Sequence, residues 1–161
     1  MYQRETLLNQ FFIGYVGQLA AEVTAENLNS RPGGNGHTPL WILGHLAICG
    51  ELGIKMLGGP IEHRQWLRPF GPGSTDNFES SDDHSRDEFI ASIKSSYAQL
   101  SEMADSADDA TLNQPHGVEL LDATPLQTVG DVIGHLLTTH IAFHTAQLSA
   151  WRQVSGHPHL F

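Results

Sequence analysis

The sequence predicts an all-α protein folded as one four-helix bundle with crossover connections. Three observations carry that expectation: four segments repeat apolar residues at helical spacing, no segment alternates as a strand would, and no internal repeat divides the chain. The 161 residues suit one domain, 1–161, with enough chain to bury a core unaided by staples.

The first helix is expected over about residues 5–28, where Leu8, Phe11, Phe12, Tyr15, Leu19 and Val23 make one buried stripe. Gly14 and Gly17 lie within it and predict a close approach by a neighbouring helix. The run from Ser30 to Gly36, with its Pro and Gly residues, imposes a loop. Thr38 as N-cap and Pro39 at the first helical position then start a second helix. Its apolar residues between Leu40 and Leu57 cover most of the circumference, so this helix is expected to be buried on several sides before Gly58-Gly59-Pro60 stops it.

Residues 58–84 concentrate Pro and Gly and read as a long crossover. A third helix begins near Ser85, with Asp87 and Glu88 where the helix dipole favours acids; Phe89, Ile93, Tyr97 and Leu100 form its stripe. Residues 106–127 predict one short helical turn and irregular chain. The last helix, about residues 128–155, has a broad apolar surface that includes Val132, Leu136, Ile141, Phe143, Leu148 and Val154. Gly156 and Pro158 end it.

Eighteen acidic and eight basic residues give a formal net charge of −10, which repels phosphate backbones and anionic lipid. Neither nucleic acid nor a membrane is an expected partner. No stretch reaches the roughly 18–20 uncharged apolar residues of a membrane span, and the N-terminus has neither a secretory nor a transit pattern. A single cysteine, Cys49, excludes an intramolecular disulfide. The expected location is cytoplasmic.

Ten histidines are present, and spacing separates them. His140 and His144 project from one face of the last helix about one turn apart, which lets two imidazole nitrogens reach one ion at about 2.0–2.1 Å. Two hydrogen-bonded surface histidines are the ordinary alternative. Position argues for the metal, because Ile141, Phe143 and Leu148 flank the pair, and a buried imidazole without partners costs about 1–3 kcal/mol. His45 is in the same predicament on the second helix. His135 lies five residues before His140, a turn of about 140° on a regular α-helix, which keeps it from that site and assigns it to hydrogen bonding or a subunit contact. The loop and tail histidines, His63, His84, His116, His157 and His159, read as solvated polar residues.

The stretch Leu40-Trp41-Ile42-Leu43-Gly44-His45-Leu46-Ala47 resembles the second-helix motif of the DinB/YfiT-like family. Thr139 to Leu148, with His140 and His144, resembles that family's H-x-x-x-H motif. The resemblance spans essentially the whole chain. It implies an up-up-down-down bundle, a homodimer, and a divalent metal ion, zinc or nickel, held by His45, His140 and His144. It also implies a small-molecule substrate and, from thiol-dependent transferases and an isomerase among its members, a low-molecular-weight thiol as partner. Thr145-Ala146 stands where many members carry Arg-Gly, a departure beyond the ligands that argues against a shared substrate.

Cys49, one turn after His45, is a candidate fourth ligand, although a buried apolar thiol is the plainer reading. Gln147 and Glu51 are candidates for orienting a ligand or water, with a solvated helix face the plainer reading of Glu51. Asp82, Asp83 and His84 read as a capping segment, and Trp66 either as core or as the lining of a pocket mouth. The expected function is a metal-dependent transferase or hydrolase with an open coordination position. The alternative is a non-catalytic bundle, metal-binding or metal-free, that serves as a stress-linked interaction or dimerisation module.

Overall fold

A computed structural model describes residues 2–79, 83–158 and 160. Its helices are α1 (Gln3–Ala20), α2 (Pro39–Met56), α3 (Leu67–Phe70), α4 (Arg86–Ser106), α5 (Asp109–Leu112), α6 (Val129–His135) and α7 (Ile141–Val154). A π turn, Leu136–His140, joins α6 to α7 in one continuous rod. Among the described residues there is no strand, only an isolated bridge between Pro115 and Thr128. The all-α bundle is as expected.

Four long elements make the bundle. Helix α1 packs against α4 and the α6–α7 rod, and α2 packs against the same two, so α1 and α2 stand on a diagonal. The connection over residues 21–38 therefore crosses the bundle. Helix α2 is the most enclosed: every residue from Pro39 to Glu51 is buried. Its start matches the sequence, with Thr38 Oγ1 accepting from Trp41 N at 3.2 Å. Thr128 and Asp131 form a reciprocal capping box that starts α6.

Several expectations are corrected. Helix α1 ends at Ala20, and the following segment is instead a set of turns in which Asn27 Oδ1 accepts from Thr24 N at 2.7 Å. Its buried face is Asn9, Val16, Leu19 and Ala20, whereas Leu8 and Phe11 face outward. Gly14 and Gly17 meet nothing. The glycines of close approach are on α2: a Cβ at Gly53 would stand 2.8 Å from Leu100, and one at Gly44 would stand 2.6 Å from the Phe70 ring. Phe143 and Val154, expected in the apolar surface of the last helix, are exposed.

The loop histidines also take structural partners. His63 donates to Glu51 and stacks on Trp66; His84 packs against Phe70 and Phe89; His116 accepts from Val118 N and meets Leu126 O; His157 pairs with Glu22. His159 and Asp82 lie outside the described residues, and among them no helix is long and apolar enough to cross a membrane.

Candidate metal centre

His45, His140 and His144 meet at the base of one cavity. The ring centroids of His45 and His140 are 5.1 Å apart, those of His45 and His144 4.7 Å, and those of His140 and His144 4.6 Å. The Nε2 atoms of His45 and His140 are separated by 3.2 Å. Two nitrogens bound to one ion at about 2.0–2.1 Å stand roughly 2.8–3.4 Å apart for bond angles between tetrahedral and octahedral. The observed separation falls inside that window.

Each outer nitrogen has its own arrangement. His45 Nδ1 donates to the carbonyl of Phe70 at 2.6 Å, which leaves the Nε2 lone pair bare and aimed at the other rings. Gly44 makes this bond possible, because a side chain there would displace the Phe70 ring from α2. His144 Nδ1 donates to Gln147 Oε1 at 2.8 Å, again leaving Nε2 bare, and so Gln147 takes the orienting position expected of it. His140 has no such support. Its Nδ1 is buried without a hydrogen-bond partner. A cation between His45 and His140 suits their facing nitrogens, with Cys49 close by and the His144 ring beside them.

Burial holds these imidazoles neutral, the form that binds metal. His144 is pushed down to about 3 by burial first and then by the neighbouring His45. Burial, with His144, His45 and His135 nearby, also holds His140 well below the usual histidine range. His45 is lowered by burial against the opposing bond to Phe70. The His140 ring keeps some accessible surface because one edge faces the cavity while protein encloses the remainder.

Cys49 faces the same centre. Its Sγ is 3.5 Å from His45 Nε2, and the ligand atoms of His45, Cys49 and His140 all lie within 4.8 Å of one another. Burial pushes the thiol up to about 12, so without an ion it stays protonated, and a cation would have to displace that proton for Cys49 to bind it.

Glu51 is elsewhere. Its carboxylate is buried, contrary to the solvated reading, and accepts from Glu62 N and His63 N at 2.9 Å each and from His63 Nδ1 at 2.5 Å. It fastens the 57–66 loop to α2 and does not line the cavity. Trp66 is core, packed on Phe89, and likewise leaves the mouth to others.

His135 makes a hydrogen bond, as expected, but sequence reasoning missed that it lines the cavity. Hydrogen bonds in a π turn run five residues apart, bringing side chains five apart over one another. The rings of His135 and His140 are 5.5 Å apart, and His135 lines the cavity with its Nδ1 2.6 Å from Thr139 Oγ1. The 140° rotation of a regular helix does not apply here. Apolar periodicity does not register one extra residue in a turn, so no signal in the sequence marked it.

Behind His45 a stack runs outward. Trp41 lies on His45 with centroids 4.5 Å apart and 9° between planes, and His37 lies on Trp41 at 3.8 Å and 16°. The Trp41 indole donates to Ser74 Oγ at 3.0 Å. The buried carboxylate of Asp76 accepts from Thr38 N and Thr38 Oγ1, tying the 71–79 loop to the start of α2.

The cavity above the histidines measures about 550 Å³ and is walled by α2, the α6–α7 rod, α3 with residues 71–73, and the 117–121 segment. That volume suits a small-molecule site. Compared with known proteins, the chain matches the family model of the DinB superfamily over residues 15–148. Neither curated proteins nor solved structures give a significant match.

Proposed function

Because the chain belongs to the DinB superfamily, we propose that it is a metal-dependent enzyme in which His45, His140 and His144 hold one divalent cation, zinc or nickel, through their inner nitrogens. The meeting of three imidazole rings held neutral by burial of their surroundings carries this reading. Such a cation would supply Lewis acidity, enough to activate a water molecule or to stabilise a thiolate. The reaction class is transfer to or from a thiol, or hydrolysis.

The chain's own residues do the remainder. Phe70 and Gln147 fix the ring orientation of His45 and His144, so little reorganisation is needed when a ligand arrives. The apolar walls exclude water from the reacting group. His135, neutral because burial lowers it and paired through Nδ1 with Thr139, offers its other nitrogen to a proton on the bound molecule.

A second reading is favoured by one observation, the placement of Cys49 within 4.8 Å of the ligand atoms of His45 and His140. A thiolate there would close the coordination shell and make the metal structural. Metal analysis of the purified protein separates the two. One ion per chain is expected, lost in His45→Ala, His140→Ala and His144→Ala and retained in Cys49→Ser. On cobalt substitution, the enzyme reading expects no sulfur-to-metal absorption band. Loss of the ion in Cys49→Ser would favour the structural site, and a metal-free wild type would end both.

A further inference from the structure

The cavity walls differ chemically from the remainder of the chain. The protein carries 26 charged side chains (18 acidic plus 8 basic), yet among the described residues no Asp, Glu, Lys or Arg lines the cavity. Beyond the histidines and Cys49, its wall includes Trp41, Leu52, Met56, Leu121, Val132 and Leu136 with the 71–73 segment. Leu120 and Phe143, 68% and 61% exposed, stand at the rim as large apolar groups open to solvent. Among the described residues, the ionisable side chains that line it are the four histidines and Cys49 alone.

We propose that the substrate is a compact molecule with an uncharged apolar body and one polar head, a thiol in the simplest case, that reaches the histidines. The head group rests on the metal reading above; the apolar body rests on the walls alone. A carboxylate or ammonium in the body would lose its hydration and find no opposite charge or fork of donors to replace it. The low-molecular-weight thiols that carry charged amino-acid groups, such as cysteine and glutathione, are therefore poor occupants. Apolar bodies gain with every group buried, and exposed Leu120 and Phe143 make a first contact of the same character.

The test is a titration of cobalt-loaded protein with ethanethiol, butanethiol, hexanethiol, 6-mercaptohexanoate and glutathione, followed by the cobalt absorption spectrum. Affinity is expected to rise about three- to fourfold per added methylene until the cavity is filled. Hexanethiol is expected to bind at least about tenfold tighter than 6-mercaptohexanoate, which differs only by a terminal carboxylate. Leu120→Lys, at an exposed position that does not support the fold, should narrow that gap by favouring the carboxylate. Affinity that is flat with chain length, or glutathione binding as tightly as hexanethiol, overturns the inference while leaving the metal reading intact. Failure to take up cobalt overturns the metal reading instead. In that event ethylbenzene against benzoate on the metal-free protein, by ligand-observed NMR, still decides the body: ethylbenzene is expected to bind, and preference for benzoate or binding of neither overturns the proposal.

Discussion

The side-chain amide of Asn9 donates to the carbonyl of Leu137, 3.1 Å away, inside the wide turn between α6 and α7. Asn9 is buried on α1, a position that periodicity would fill with an apolar residue. Thr138 Oγ1 adds a second bond, to Gly134 O at 2.6 Å. Together they satisfy carbonyls around a turn whose hydrogen bonding departs from the α pattern. Asn9→Leu is expected to cost about 1–3 kcal/mol in denaturant unfolding, through an unsatisfied buried carbonyl. The His135 ring should also move away from His140, read from the histidine NMR resonances. Unchanged stability with unchanged resonances would remove Asn9 from this role.

The bond from His45 to Phe70 depends on Gly44. Gly44→Ala pushes the Phe70 ring outward and draws its carbonyl from His45, so metal affinity should fall about 10- to 100-fold, the usual effect of losing a ligand's outer partner. Gln147→Leu removes the equivalent support of His144 and should fall in the same range. Competition with a chromophoric chelator measures both. Wild-type affinity in either variant would show that ring orientation is set elsewhere.

Metal-free protein should lose stability as pH falls. Once unfolded, each of these imidazoles takes up a proton near the ordinary value of 6.5, whereas in the fold burial holds His140 well below that and His144 at about 3. Below about 6.5 the unfolded chain therefore binds more protons, and stability declines progressively as pH falls through the folded values. Denaturant unfolding between pH 8 and pH 4 should give a steeper decline for wild type than for His140→Ala/His144→Ala. Equal slopes would mean that these rings are not held neutral.

Glu51→Ala separates fastening from chemistry. Removing a buried carboxylate that accepts from two backbone amides and His63 should destabilise the protein by at least about 1.5–3 kcal/mol. Its metal content should remain that of wild type. A selective loss of metal with normal stability would return Glu51 to the site.

Much of the fold was legible because its signals are local. Thr38 and Pro39 mark one helix start and Thr128 another, and the enclosure of α2 follows from an apolar surface on all sides. That three histidine rings would come together was legible too, since polar rings on two greasy helices call for partners. What escaped depends on pairs of elements. Asn9 faces inward because of a carbonyl on another helix, and Leu8 and Phe11 turn outward with the same rotation of α1. Gly44 and Gly53 earn their place through Phe70 and Leu100, residues far along the chain. His135 joined the cavity through a change of helical pitch.

The stack of His37, Trp41 and His45 has an optical consequence. An indole lying flat on a ring shares its electronic surroundings, so any shift of charge on His45 alters the light that Trp41 emits. Trp66 and Trp151 lie against His63 and His157 instead, so at constant pH they do not share the changes at the centre. The protein thus carries a built-in gauge of what occupies its centre, readable without a label and silenced by Trp41→Phe.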